Sequence, residues 1–245
     1  MQSPGDEVTG HSSARWPAFL AARLRPGAQL GLMLTVQLGL LVLLLTAFSV
    51  VTEDVVAGEE LVQADGPIER FLIDRRTPAL TVAMRVFTTL GSALVVVPLL
   101  LGVGLLARRA LGSWRPLVFL AVTVGGATLT STVIKLVVAR PRPDAGALVQ
   151  ALGYAFPSGH STTASAAWLS SAVVLGSLTR STARRVVLGV VAAVVVVLVG
   201  VSRVYLGVHA PTDVLAGWAL GALWLAGTLI ASRLLFRRED RPADG

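Results

Sequence analysis

The sequence predicts an all-α protein, an integral membrane bundle of about six transmembrane helices. Three observations lead there. Hydrophobic residues make up 54% of the 245, and the mean hydropathy is +0.74. Charged residues make up only 14%, whereas a soluble domain uses about 25% to cover its surface. The charges also punctuate long apolar runs, leaving 26–52, 86–107, 116–134, 145–179, 186–202 and 214–232 free of Asp, Glu, Lys and Arg. A helix needs about 20 apolar residues to cross a hydrocarbon core of roughly 30 Å.

Each run predicts one crossing. The first, rich in Leu, predicts a helix over 29–51. Its flank carries Arg15, Arg23 and Arg25 like a signal peptide, but the apolar part is too long for a cleaved h-region and is expected to stay as an anchor. A second helix is expected over 79–107, starting at Pro78, with Arg85 snorkelling to an interface. The third covers 116–138. Gly153, Pro157 and Gly159 interrupt the fourth run, so only 161–178 is expected to cross. The fifth, 186–206, extends its run past Arg203, and the sixth covers 212–235. The Gly217-x-x-x-Gly221 spacing in the last helix suits close helix packing inside one bundle. One membrane domain over 28–236 is expected, between cytoplasmic tails 1–27 and 237–245.

Six crossings put both termini on one side. That side collects 13 basic residues, including Arg108, Arg109, Arg115, Arg180, Arg184 and Arg185, against 7 on the other. Positive loops face the cytoplasm, so both termini are expected inside, in a plasma or inner membrane. The net charge of +7 is therefore largely topological and does not point to nucleic acid. Cysteine is absent, which excludes disulfides, thiolate metal sites and cysteine nucleophiles. The acids Glu53, Asp54, Glu59, Glu60, Asp65, Glu69 and Asp74 match no calcium loop and are expected in a solvated outer loop, part of which, 68–72, has the pattern of an amphipathic lid.

Against that background, three polar clusters stand at the outward ends of the last four helices: Lys135-Leu-Val-Val-Ala-Arg-Pro-Arg142-Pro143, Pro157-Ser158-Gly159-His160, and Ser202-Arg203 followed by His209 and Asp213. Charges in membrane segments mark functional sites by default. Lys135, Arg142 and Arg203 lack neighbouring acids in the sequence, so an anionic ligand is their simplest partner, and guanidinium suits phosphate oxygens. Ser158 is placed as an N-cap, and the amides after it would face an anion, with Gly159 allowing close approach. Asp213 lies within reach of His209 and can orient it as a nucleophile, while His160 can act as general acid. Singly, each cluster has a commoner structural explanation as a cap, a turn or a lipid anchor. In this order, on one face, they describe a metal-free phosphoryl-transfer site. Arg140 falls between the key positions and reads as an accessory headgroup contact, and His11 lies in a polar tail.

The three clusters resemble the tripartite signature of the type 2 phosphatidic acid phosphatase (PAP2) superfamily: Lys, six residues, Arg-Pro; Pro-Ser-Gly-His; and Ser-Arg, five residues, His, three residues, Asp. All three match without gap or substitution. The resemblance implies a PAP2/haloperoxidase-like helical core, and the hydrophobic spans favour the membrane lipid-phosphatase branch over the soluble vanadium haloperoxidases. It implies a phosphohistidine on His209 oriented by Asp213, protonation of the leaving group by His160, and phosphate binding by Lys135, Arg142, Ser158, Gly159 and Arg203. No cofactor or metal is implied. The expected partner is a lipid phosphate delivered by the bilayer to the outer face: undecaprenyl or another polyprenyl diphosphate, phosphatidylglycerophosphate or phosphatidate. A phosphotransferase of the same superfamily, or a headgroup-binding transporter or flippase, would use the same cations. Oligomeric state is not encoded in these motifs.

Overall fold

The computed structural model describes residues 29–143 and 146–236; the tails 1–27 and 237–245 lie outside the described residues. Among them are eight helices and no strand: α1 Gln29–Ala57, α2 Glu60–Ile73, α3 Pro78–Thr89, α4 Ala93–Leu111, α5 Arg115–Val138, α6 Gly159–Ser177, α7 Thr182–Tyr205 and α8 Pro211–Phe236. Residues 1–40 and 41–245 form two compact units. The described part of the first, 29–40, is helical, and apart from the start of α1 everything that follows belongs to the second.

Among the described residues, five helices are long and apolar enough to cross a membrane: Met33–Ala57, Ala93–Leu111, Arg115–Val138, Thr182–Tyr205 and Pro211–Leu235. The remaining expected crossing coincides with α6, which is 19 residues long but rich in Ser, Thr and Ala. Its composition follows from its place. It packs against α4, α5, α7 and α8, and ten of its residues, from Ser161 to Gly176, are buried. Small side chains let the neighbouring helices approach. Two of their hydroxyls show how they are used, Thr162 donating to the Ser158 carbonyl at 2.9 Å and Ser165 to the Trp218 carbonyl across the interface at 3.0 Å, whereas the buried Ser171 hydroxyl has no partner. The Gly217-x-x-x-Gly221 stripe of α8 faces the same helix: a Cβ at Gly217 would lie 2.7 Å from the Ser158 carbonyl oxygen, and one at Gly221 2.6 Å from that of Thr162.

Two expectations are corrected. The helix expected over 79–107 is two helices, broken at Leu90-Gly91-Ser92. The reason is a tertiary contact: a Cβ on Gly91 would stand 2.9 Å from the His160 carbonyl oxygen and 2.7 Å from Val199. The break lets this turn press against the start of α6, and the Trp168 indole donates to the freed Leu90 carbonyl at 3.0 Å. The outer loop expected over 53–74 is also largely helical. Here α1 runs on to Ala57, and Asp54, which is buried, accepts from the Leu61 and Val62 amides at 3.2 and 2.8 Å, so its carboxylate holds the first amides of α2. Along α2, Ile68 and Phe71 are exposed while Leu72 packs on Tyr205, Leu206 and Val208.

Candidate active site

The three polar clusters meet at one end of the bundle. Lys135 and Arg203 stand in the last turns of α5 and α7, His160 opens α6, and Asp213 lies in the first turn of α8. The Ser158 amide donates to the Asp213 carbonyl at 2.9 Å, tying the second cluster to the third. Gly159 faces Lys135, whose Cε would lie 3.8 Å from a Cβ at that position. His160 is in electrostatic reach of Arg203, His209, Arg142 and Lys135. All eight residues singled out from the sequence therefore share one site.

The histidine–carboxylate pair is defined in detail. Asp213 is fully buried and His209 is 2% exposed. Nδ1 of His209 lies 3.2 Å from Oδ2 of Asp213, and the same oxygen accepts from the Ala210 amide at 3.0 Å. A carboxylate can only accept, so Nδ1 carries the proton. The other ring nitrogen, Nε2, lies 3.2 Å from Nη1 of Arg142, a group that can only donate, so Nε2 keeps its lone pair. Burial holds the imidazole well below its ordinary range, to about 4, against the opposing pull of Asp213. At neutral pH the ring is an uncharged base with one tautomer fixed.

The cations are held by carbonyls and a hydroxyl rather than by acids. Arg142 donates to Gly153, Val208 and Leu152 at 2.9, 2.7 and 2.8 Å. Lys135 donates to Tyr154 and Ala155 at 2.9 and 3.1 Å. Arg203 is only 4% exposed; its Nη1 donates to Thr88 at 2.8 Å, and its Nε has no partner. Among the described residues none of the three has a carboxylate within ion-pair distance. A buried guanidinium with an orphan donor is a costly arrangement unless an anion completes it. One local expectation fails: Ser158 holds the N-cap position, but its side chain makes no capping bond and instead accepts from the Ser161 hydroxyl at 2.9 Å.

This geometry has known relatives. The PAP2 superfamily pattern matches residues 116–237, a stretch containing all three clusters. The chain is 37% identical over 163 residues to phosphatidylglycerophosphatase B of Bacillus subtilis (strain 168), covering 65% of this chain and 79% of that one. The chain belongs to the PAP2 superfamily. Within it, the chain is also 45% identical over 73 residues, 30% of its own length and 31% of the relative's, to an undecaprenyl-diphosphatase of Sulfolobus acidocaldarius. Its fold matches the crystal structure of the transmembrane PAP2-type phosphatidylglycerolphosphate phosphatase from Bacillus subtilis with a TM-score of 0.73 and 30% identity, over 83% of this chain and 98% of that one. It matches Aquifex aeolicus LpxE with a TM-score of 0.54 and 27% identity, over 68% and 94%. The chain is a membrane lipid phosphatase of the PAP2 superfamily.

Two residues of this PAP2 site were misread from the sequence. Arg140, expected to touch headgroups, turns inward and donates through Nη1 to Asp213 Oδ1 at 2.8 Å and to Thr212 at 2.7 Å. Asp65, expected in a solvated loop, is 5% exposed and accepts from Nη2 of Arg140 at 2.9 Å. Ala139 enables the first of these: its left-handed backbone, φ 49°, ends α5 and turns the chain. No local pattern signals either contact, because Arg140 lies 75 residues from Asp65 and 73 from Asp213.

Proposed function

We propose that the protein hydrolyses a lipid phosphate monoester or diphosphate at the extracytoplasmic face, through a phosphohistidine on His209 and without a metal. The observation that carries the reading is the pairing of a buried guanidinium, that of Arg203, which has no carboxylate at ion-pair distance among the described residues, with an uncharged imidazole whose Nε2 keeps its lone pair. The first feature needs an anion and the second needs an electrophile. A phosphoryl group is both.

In the reading, Arg142 passes from Nε2 to a phosphoryl oxygen, and Lys135, Arg203, the Ser158 hydroxyl and the amides at Gly159 take the remaining oxygens. Nε2 attacks phosphorus as the bond to the lipid oxygen breaks. Asp213 stabilises the positive charge that develops on the ring. His160 gives its proton to the departing lipid oxygen. Water then enters, His160 takes its proton, the P–N bond breaks, and inorganic phosphate leaves with His209 restored. In this reading positioning and electrostatics carry the step.

The excess of basic residues on the opposite side supports placing the site outside and both termini in the cytoplasm. The span over 28–236 is read as one membrane domain. The names of the relatives point to phosphatidylglycerophosphate and undecaprenyl diphosphate as the substrates to try first, with phosphatidate beside them. Purified protein in detergent is assayed on that panel, with and without EDTA, as wild type and His209→Ala. Wild type is expected to release phosphate in EDTA, and the variant to lose activity by about 10³-fold or more. Undiminished release by His209→Ala would sink the nucleophile, and loss of wild-type activity in EDTA would sink the metal-free step. Transfer of phosphate to an added acceptor lipid instead of water would convert the reading to a phosphotransferase.

A further inference from the structure

The established signature ends at Asp213, yet that carboxylate is itself held from behind. Each of its oxygens has a separate task. Oδ2 serves His209 and the Ala210 amide, and Oδ1 serves only Arg140 among the described residues. Arg140 in turn is gripped by Asp65: Nη2 meets Oδ2 at 2.9 Å, while Nη1 is shared between Asp213 and the Thr212 hydroxyl. Asp65 is fixed by two further bonds, from the Thr212 amide at 2.9 Å and the Thr212 hydroxyl at 2.7 Å. The chain of contacts runs from α2, through the turn after α5, to the first turn of α8.

We propose that Arg140 and Asp65 are positioning residues of the phosphatase: Arg140 sets the rotation of the Asp213 carboxylate so that Oδ2 faces Nδ1 of His209, and Asp65 holds Arg140 there. The proposal rests on the phosphohistidine reading above. The planar fork of Arg140 spans two carboxylates in a fixed geometry that an ammonium cannot reproduce. Without it, Asp213 is free to rotate and carries an uncompensated charge beside His209. Asp65 also gives α2, whose Ile68 and Phe71 are exposed, a direct link to the carboxylate behind the nucleophile. A purely structural role exists too, since Asp65 holds the Thr212 amide at the start of α8, and the test must separate the two.

The variants are Arg140→Gln, Arg140→Lys and Asp65→Asn; the last keeps an acceptor for the Thr212 amide. The assay is steady-state hydrolysis of the best lipid phosphate across pH, with trapping of phosphorylated enzyme. The groups facing His209 are Asp213 from α8, Arg203 from α7, His160 from α6, Lys135 from α5 and Arg142 from the α5–α6 connection. Glu69 of α2 faces Asp213 and Arg140, and burial and Asp65 push it up to about 7, so the profiles are repeated with Glu69→Gln. Arg140→Gln is expected to lower kcat about 10- to 100-fold, the size typical of outer partners of oriented histidines, with KM changed less than about 3-fold. The acid limb of kcat/KM should move up in pH, because an uncompensated Asp213 favours the imidazolium. Arg140→Lys should not restore the rate, and Asp65→Asn should show a smaller loss in the same sense. In an Asp213→Asn background, Arg140→Gln should add less than about 2-fold. Full activity of Arg140→Gln, a loss without movement of the limb, or an undiminished effect in the Asp213→Asn background would overturn the proposal. Failure of the underlying reading looks different: His209→Ala would then still release phosphate and no phosphoenzyme would be trapped from wild type.

Discussion

Arg203 gives the sharpest test of how the site is balanced, because its removal should damage activity and improve stability together. In the unliganded protein the guanidinium is 4% exposed, makes one side-chain bond, to Thr88, and leaves Nε without a partner. In Arg203→Met, a side chain of similar length fills the space without charge. The variant forfeits a charged hydrogen bond of about 1.5–3 kcal/mol. It removes an orphan donor costing about 1–3 kcal/mol and a charge whose burial costs several kcal/mol. The net is a gain of at least about 1 kcal/mol, which at about 2–4 °C per kcal/mol raises Tm by at least about 2 °C. Orthophosphate or orthovanadate should shift the balance back toward wild type. At 100 times its Kd the anion stabilises wild type by about 2.7 kcal/mol. If losing the guanidinium weakens binding by about 100-fold, the same concentration gives the variant only about 0.4 kcal/mol. Turnover should fall about 10²- to 10³-fold, as for loss of one oxyanion donor. The assay is thermal unfolding in detergent with and without the anion. A variant less stable than wild type in anion-free buffer, or equally stabilised by vanadate, would refute the claim that Arg203 is an unpaired charge awaiting a phosphoryl group.

Two further outcomes follow from the structure. His209 must be neutral to attack, and its folded-state value is about 4, so the loss of kcat/KM that comes from protonating His209 should fall near pH 4, not at 6.5, separate from the limb on which His160 loses the proton it donates; the unfolded chain takes up the proton near 6.5 and the folded one near 4, so stability should also decline as pH drops through that window, and a His209 limb at 6.5 in the free enzyme would contradict the burial argument. Gly221→Val should destabilise the α6–α8 interface by about 3 kcal/mol or more, because its Cβ would stand 2.6 Å from both the Thr162 carbonyl oxygen and Ser165 Cβ, whereas Gly227→Ala, with nothing within 4 Å, should gain about 0.5–1 kcal/mol; equal unfolding temperatures for the two variants would show that the stripe does not set the packing.

What was legible in the sequence divides by the range of the forces involved. The crossings could be read from charge-free runs because the bilayer acts on every residue of a span at once, and α1, α5, α7 and α8 lie close to their expected limits. The three clusters could be read because phosphoryl chemistry demands several residue types at fixed spacings near helix ends. The break at Gly91 was harder to read, since Thr88-Thr89-Leu90-Gly91-Ser92 is only a weak local signal inside a charge-free run and what demands the glycine is the His160 carbonyl. Helix α2 could not be read, because a run of acids looks solvated until two of them find partners: Asp54 caps the helix and Asp65 bonds across the site. Arg140 was hidden by its neighbours, being one of two arginines in Arg-Pro-Arg-Pro, and only the turn at Ala139 shows that both point inward.

That distinction between the two arginines resolves the charge balance of the end that carries the site. Four cations reach the site, Lys135, Arg140, Arg142 and Arg203, and the two carboxylates paired there, Asp65 and Asp213, both bind Arg140. These two acids therefore form no ion pair with the phosphate cradle; they are committed to the one arginine placed behind the nucleophile. Lys135 and Arg142 are kept in place by backbone carbonyls, which orient a cation without cancelling its charge. The cations of the cradle thus meet a phosphoryl group with their charge uncancelled by an ion pair among the described residues. A carboxylate introduced beside Arg203, for instance by Thr88→Glu next to its Nη1, should therefore lower phosphate and vanadate affinity through the charge alone, and Thr88→Gln, nearly the same size, should not. Equal affinities in the two variants would mean that shape, not unneutralised charge, selects the phosphoryl group.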